Sequence, residues 1–101
     1  MSKVTFVSRM LIKEGREAEF VQRCKALTEV VHKTEPGTLY YEFFKLREPR
    51  RYAVIESFAN AAAEEAHMTS PALGEHGPGI VDCLAEPYVR EYLDPFEAPK
   101  G

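Results

Sequence analysis

Tryptophan is absent from this chain of 101 residues, and cysteine occurs only twice, as Cys24 and Cys83. The two cysteines are far apart in the sequence, which is more typical of small core residues than of a disulfide framework. The histidines and acidic residues match no standard zinc-binding spacing. We therefore expect neither a structural disulfide nor a bound metal ion.

Long apolar runs are missing as well. No stretch approaches the ~18 residues of a membrane span, and the first ten residues lack the basic start and apolar run of a secretory signal. Basic residues are not in surplus, because the formal net charge is −3, which argues against nucleic-acid binding. We expect a cytoplasmic protein that binds neither a membrane nor a nucleic acid.

The motifs of two common enzyme classes do not occur. The segment Gly77-Pro78-Gly79 lacks the lysine and the strand-to-helix setting of a phosphate-binding loop. The serines do not lie in the elbow motif of a nucleophilic serine. Nucleotide-dependent chemistry and a serine nucleophile are therefore not expected.

The composition is that of one small globular domain, with 45% hydrophobic and 29% charged residues. We assign residues 1–95 to this domain and residues 96–101 to a C-terminal tail. A chain of this length buries only roughly 60–65% of its unfolded surface. We therefore expect oligomerisation to contribute to its stability.

Four segments rich in β-branched and aromatic residues are predicted to be strands: 3–12, 38–46, 52–58 and 88–93. The first helix is predicted over residues 16–33, where Phe20, Cys24, Leu27 and Val31 form an amphipathic stripe. Asn60 is a good N-cap for a second helix over residues 61–68. Ser70 and Pro71 repeat that signal for a further helical piece, which we expect Gly77-Pro78-Gly79 to interrupt.

This order of elements predicts an α+β, ferredoxin-like βαββαβ fold, in which helices cover one face of a four-stranded antiparallel sheet. The other face is also apolar. It carries either Val7, Leu11, Leu39, Tyr41, Phe43 and Ile55 or their equally bulky neighbours of opposite parity. An exposed apolar face of this size implies a partner. We expect a homodimer, in which two sheets pack together and close a dimeric α+β barrel.

Two histidines are candidates for proton transfer or substrate binding. His67 lies on the second helix among small residues, where an imidazole titrates near neutral pH. Its alternative role is to bind a backbone carbonyl at the helix end, and as a largely surface side chain its loss would cost no more than ~1–2 kcal/mol. His76 precedes the flexible Gly-Pro-Gly segment, where it either closes over a pocket or is solvated.

Glu56 alternates with Val54 and Phe58 in an apolar strand, so we expect it to be at least partly buried. It either forms a structural ion pair with an arginine (Arg9, Arg51 or Arg90) or, if unpaired, has a raised pKa and acts as a base. The aromatic side chains of this region suit a planar aromatic substrate, and they also suit ordinary core packing. Among them we select Phe44 and Phe58 as candidate substrate contacts.

Three segments together resemble the antibiotic biosynthesis monooxygenase superfamily: residues 35–42 (EPGTLYYE), 54–58 (VIESF) and 66–71 (AHMTSP). Members of this superfamily are dimeric α+β barrels that include cofactor-independent quinol and anthrone oxygenases. The resemblance implies a cofactor-free monooxygenase, in which a small quinol, phenol or polyketide-like aromatic is deprotonated and its anion reduces dioxygen. It also implies that His67 transfers a proton or orients the substrate, and that Ser8 faces the helices beside the substrate.

The resemblance leaves two alternatives open. Haem-degrading members carry Asn and Trp where this chain has Ser8 and His67, which argues against haem, although His76 falls within one residue of their axial histidine. The other alternative is a non-catalytic dimeric barrel that binds a small aromatic ligand or accompanies another enzyme. Fold alone does not separate these functions.

Overall fold

The computed structural model describes residues 3–96 of the chain. Within this range four strands and three helices follow in the order β1 (Val4–Leu11), α1 (Glu17–Thr34), β2 (Thr38–Lys45), β3 (Arg51–Phe58), α2 (Ala61–Met68), α3 (Pro71–Asp82) and β4 (Val89–Tyr92). The strands form one antiparallel sheet in the order β2-β3-β1-β4. The predicted ferredoxin-like α+β fold is confirmed, whereas residues 97–101 of the predicted tail lie outside the described range.

The apolar stripe of α1 anchors this helix to the sheet. Phe20, Cys24, Leu27 and Val31 are all buried, as their spacing predicts. Cys83, at the end of α3, is fully buried in the same core, and both cysteines are free thiols. Their interpretation as core residues is confirmed.

Both predicted N-caps are present at the starts of α2 and α3. The Asn60 side chain accepts a hydrogen bond from the backbone N–H of Ala63, and the Ser70 hydroxyl accepts one from Leu73. These bonds satisfy N–H groups that lack a partner in the first turn of a helix.

The predicted break at Gly77-Pro78-Gly79 is wrong, because α3 continues through Pro78. A proline inside a helix leaves the carbonyl four residues earlier without a partner and crowds it. Here that carbonyl belongs to Gly74, which is exposed and has no side chain, so water can reach the carbonyl oxygen. Ala72 and Ile80 hold the same helix on the core.

The sheet has a helix face and an outer face. Register places Ser8, Tyr41, Phe43, Val54 and Glu56 on the helix face, and Thr5, Val7, Leu11, Tyr40, Phe44 and Ile55 on the outer face. The open choice of parity is therefore resolved into a mixture, because the β2–β3 register places odd-numbered residues of β2 opposite even-numbered residues of β3, as for Tyr41 with Glu56 and Phe43 with Val54. Tyr41 and Phe43 face the helices, while Val7, Leu11 and Ile55 lie on the outer face, as one alternative predicted.

The chain after α3 exposes several large apolar side chains: Tyr88, Val89, Tyr92, Leu93 and Phe96. β4 pairs with β1 over only four residues, from Phe6 to Arg9. Between residues 3 and 96, no helix combines the length and the apolar character needed to cross a membrane.

Candidate functional site

A cavity of about 220 Å³ lies between the helix face of the sheet and α3. Its walls are mainly apolar and include Met10, Leu27, Phe43, Val54, Leu73, Ile80 and Leu84. Five polar side chains join them: Ser8, Tyr41, Glu56, Tyr88 and Arg90. An apolar cavity with a few polar groups is typical of a site for a small organic ligand.

Glu56 is the ionisable acid that lines this cavity, and its side chain is only 6% exposed. Burial raises the pKa of this carboxyl to about 7, because the charged form loses its water. The positive charge of Arg90 opposes that rise, and the negative charges of Glu35 and Glu64 add to it. Glu56 therefore changes its protonation state near neutral pH.

The predicted ion pair between Glu56 and an arginine is wrong. Arg9 and Arg51 belong to the opposite face of the sheet by register, where they pair with Glu91 and Glu86. Arg90 shares the helix face, but its side chain donates a hydrogen bond to Ser8. Among the described residues, the basic side chain within 4 Å of Glu56 is His67, whose Nε2 lies 3.4 Å from Glu56 Oε1.

Arg90 and Ser8 form the polar wall beside Glu56. The Arg90 Nε donates to the Ser8 Oγ over 3.3 Å, and the guanidinium lies 4.1 Å from the centre of the Phe6 ring. The guanidinium group of arginine is a permanent cation in proteins, and the aromatic face of Phe6 holds it beside the cavity. The predicted orientation of Ser8 toward the helices is confirmed.

His67 lies behind Glu56 rather than in the cavity wall. Its ring is 2% exposed and packs between Tyr41 and Phe58, with 5.3 Å between ring centres in each case. The interpretation of His67 as a largely surface side chain is therefore wrong. Small residues on α2 let this helix approach the sheet, and the imidazole occupies the space between them.

Glu35 is the second acid on His67, and it is a residue that sequence analysis missed. Its Oε1 lies 2.7 Å from His67 Nδ1 and accepts a hydrogen bond from the Thr38 hydroxyl. The segment Glu35-Pro36-Gly37 is interpreted from sequence only as a helix stop. The feature of this segment that indicated a close contact is Gly37. A Cβ at this position would lie 2.8 Å from the Cβ of Ala63, so only glycine lets α2 pack this closely.

A groove of about 640 Å³ opens on the side of His67 away from the cavity. The end of α1, the turn after it, α2 and the start of α3 form its walls. Glu35, Ala63, Ala66, His67 and Ser70 are among the residues that line it. His67 therefore separates two concave regions, with Glu56 on the cavity side and Glu35 on the groove side.

The remaining predicted site residues lie elsewhere. Phe44 is on the outer face and 36% exposed, and Phe58 is fully buried behind His67. His76 lies on α3 and lines neither the cavity nor the groove. The structure thus brings Ser8, Glu56 and His67 together and leaves Phe44 and His76 apart from them.

Metal binding finds no geometric support in residues 3–96, since no group of three or more His, Cys, Asp or Glu side chains is placed to hold an ion. Glu35 and Glu56 contact different nitrogens of His67, so the three side chains do not converge on one point. Burial raises the pKa of the Tyr41 phenol above its usual range, which disfavours that group as a base.

Comparison with solved structures supports the same fold over nearly the whole chain. A protein of Caulobacter crescentus CB15, assigned to the antibiotic biosynthesis monooxygenases, is 27% identical with a TM-score of 0.88, over 94% of this chain and 91% of that one. A protein of Mycobacterium tuberculosis is 16% identical with a TM-score of 0.85, over 98% of this chain and all of the other. A conserved protein of Methanosarcina mazei Go1 is 22% identical with a TM-score of 0.83, over 92% of each chain.

No curated protein sequence matches the chain. The profile of the antibiotic biosynthesis monooxygenase family matches residues 4–76, which span β1 to the middle of α3. These residues include Ser8, Glu35, Glu56 and His67. The chain belongs to the antibiotic biosynthesis monooxygenase family.

Proposed function

We propose that this protein is a cofactor-independent monooxygenase that oxidises a small electron-rich phenol or quinol with dioxygen. One observation carries the proposal: a buried carboxyl, Glu56, lines an apolar cavity without an arginine partner. Keeping an acid in such surroundings costs free energy, and buried acids with a shifted pKa are concentrated at functional sites. A base with a pKa of about 7 is matched to proton abstraction at neutral pH.

The chemistry requires a base and a dry, shaped cavity. Glu56 takes the hydroxyl proton of the substrate, and the resulting anion transfers electrons to dioxygen. A hydroquinone plus dioxygen then becomes a hydroxylated quinone plus water, so one oxygen atom enters the ring and the other leaves in water. The substrate supplies all four electrons, and no external reductant is required.

The polar wall orients the substrate. Arg90 carries a positive charge beside the cavity, and such a charge stabilises a developing phenolate. Ser8, to which Arg90 donates, adds a hydroxyl on the same side. His67 does not line the cavity, so in this proposal it acts through Glu56, and its predicted part in proton transfer stays a prediction.

The residues present do not fit haem held by His76, because that side chain is not in the cavity wall. Among the described residues that line the cavity, none is a histidine or a cysteine. The single sequence feature that favoured haem therefore has no place in this site.

We also propose that two copies associate through the outer face of the sheet. Val7, Leu11, Phe44 and Ile55 form an apolar surface there, and the exposed Val89 of β4, paired with Arg9, extends it. A second copy is the simplest partner for such a surface. A standard interface buries roughly 800 Å² on each subunit. Residence in the cytoplasm stays a prediction.

Oxygen uptake with a panel of hydroquinones and phenols tests the proposed activity. We expect one dioxygen per substrate and incorporation of one labelled oxygen atom from ¹⁸O₂ into the product. Glu56→Gln should lower kcat by ~10²–10⁴-fold, whereas Glu29→Gln, at an exposed position of α1, should leave kcat unchanged. Saturable binding of a ring without oxygen uptake would replace the proposal by the non-catalytic ligand-binding barrel.

A further inference from the structure

We propose that Glu56, His67 and Glu35 form a proton relay that links the cavity to the groove on the far side of α2. The inference rests on the proposed function, because the proton it moves is the one that Glu56 takes from the substrate. Glu56 touches the substrate in this scheme. His67 and Glu35 do not, and they are positioning residues that hold and pass the proton.

The three side chains stand in a line through the protein. Glu35 Oε1 is 2.7 Å from His67 Nδ1, and Glu56 Oε1 is 3.4 Å from His67 Nε2. The two nitrogens are on opposite sides of the imidazole, so a proton that enters at one nitrogen releases a proton from the other. The first distance is a short hydrogen bond, and the second closes when Glu56 is protonated and donates.

Each of the two carboxyl groups leaves one oxygen under-satisfied, and for Glu56 it is the oxygen that faces His67. Glu56 Oε1 and Glu35 Oε2 are buried oxygens without a hydrogen-bond partner. Two carboxylates around one buried imidazole cost more than an apolar cluster of the same volume would. A purely structural role gives no reason to keep two carboxyl groups that lower the stability of the fold. A role in holding and passing a proton does give such a reason.

The surrounding charges favour sharing of one proton. Glu56 is faced by Arg90 from β4, by the negative charge of Glu64 from α2 and by the Tyr41 phenol of β2. On the other side, Thr38 donates to Glu35. Protonated Glu56 with neutral His67 and ionised Glu56 with cationic His67 contain the same number of protons. The proton therefore moves between them without a change in total charge.

The relay balances over one catalytic cycle. Glu56 gains the substrate proton and gives it to His67 Nε2, and the Nδ1 proton passes to Glu35 and then to water in the groove. The imidazole is left as its other tautomer. The later steps form water and need a proton, and its return along the same line restores the starting tautomer. Two hydrogens of the substrate thus end in water, with none gained or lost overall.

The first test is a titration that needs no substrate. The carboxyl ¹³C shift of Glu56 in the intact protein should show a step near pH 7, and the imidazole ¹⁵N shifts of His67 should change across the same step. Glu35→Gln keeps an acceptor for His67 Nδ1 and removes the charge. It should lower the midpoint of that step by roughly half a pH unit or more, because Glu35 raises the pKa of Glu56.

The second test uses turnover of a competent quinol. Glu35→Gln should lower kcat by about 10-fold and leave KM within about twofold. Glu35→Ala removes the carboxyl and leaves a space beside His67 Nδ1 that is open to the groove. Formate, a small carboxylate, should fill this space and restore kcat of the variant in a dose-dependent manner. Glu35→Asp should retain part of kcat, and Glu75→Gln, on the same groove, should change neither kcat nor the response to formate.

These readouts separate the two proposals. If no phenol or quinol consumes dioxygen, the proposed function fails, and the titration alone decides whether the three groups are linked. The relay is overturned if Glu35→Gln leaves both the common titration step and kcat as in the wild type. It is also overturned if formate activates the Glu75→Gln control as much as Glu35→Ala.

Discussion

Ile55 and Glu56 are consecutive residues of β3, and they point to opposite faces of the same sheet. On the outer face, polar groups have close partners: Thr5 with Ser57 at 2.8 Å, Arg9 with Glu91 at 3.1 Å, and Tyr40 with Glu42 at 2.6 Å. On the helix face, Glu56 is buried with an oxygen that has no hydrogen-bond partner. The polar groups on the outer face named here thus have hydrogen-bond partners, whereas the face covered by helices holds a carboxyl oxygen without one.

This difference indicates that the two faces of the sheet have different roles. Satisfied polar pairs among apolar side chains suit a surface that packs against another protein. An unpaired buried acid suits chemistry, because its proton affinity is shifted toward neutral pH. Assembly and activity should therefore respond to different substitutions, even at adjacent positions.

The largest effect is expected for Ile55→Glu. A charge in the middle of the proposed interface should weaken the dimer by about 3 kcal/mol or more, roughly 100-fold in Kd, and lower the stability of the fold with it. Sedimentation at several concentrations and thermal unfolding measure the two effects. Glu56→Gln, one residue away, should leave the dimer intact. A wild-type protein that is folded and monomeric at micromolar concentration would remove the argument for an interface.

A smaller loss of stability is expected for His67→Ala. The ring is buried between Tyr41 and Phe58 and contacts two carboxyl groups. Its removal should lower the free energy of unfolding by about 2–4 kcal/mol. Urea unfolding measures this change.

His76→Ala is the matched control for the buried histidine, and it should cost less than about 0.5 kcal/mol. His67→Phe keeps a flat ring without a proton, so it should recover part of the stability and none of the proton transfer. Wild-type turnover in His67→Phe would mean that this ring only packs.

The pH dependence of stability should reveal Glu56. Its pKa is about 7 in the folded protein against an ordinary value of 4.5. Between these values the folded state keeps a proton that the unfolded chain has lost, so this carboxyl lowers stability as pH rises and stabilises the fold most at low pH. Glu56→Gln should therefore gain on the order of 1–3 kcal/mol relative to wild type between pH 4.5 and 7.5. Parallel stability curves for the two proteins would show that the carboxyl is not buried.

The smallest effect is expected on the outer face, at Thr5. Thr5→Val removes the hydroxyl partner of Ser57 and keeps the shape of the side chain. The free energy of unfolding should fall by only about 0.5–1 kcal/mol, because one neutral hydrogen bond is lost. A loss as large as that for His67→Ala would erase the contrast between the two faces.

Local patterns predicted most of the fold. The stripe of α1, the caps at Asn60 and Ser70 and the order of the strands depend on residues a few positions apart, whose preferences act within one helical turn or one pleat. The errors occurred where neighbours in space decided the outcome. Pro78 stays helical because the carbonyl it leaves free is exposed, and Tyr41 and Phe43 face the helices because the pairing of β2 with β3 places them opposite Glu56 and Val54.

By itself, the sequence determined that Glu56 lies in an apolar strand, that His67 lies on a short helix and that both sheet faces are apolar. Only the tertiary structure decided that Glu35, 32 positions before His67, shares its ring with Glu56. It also decided which faces the aromatic residues of β2 take. The physical reason is that secondary-structure preference is encoded locally, whereas burial, pKa and ion pairing depend on distances that arise only when distant segments pack together.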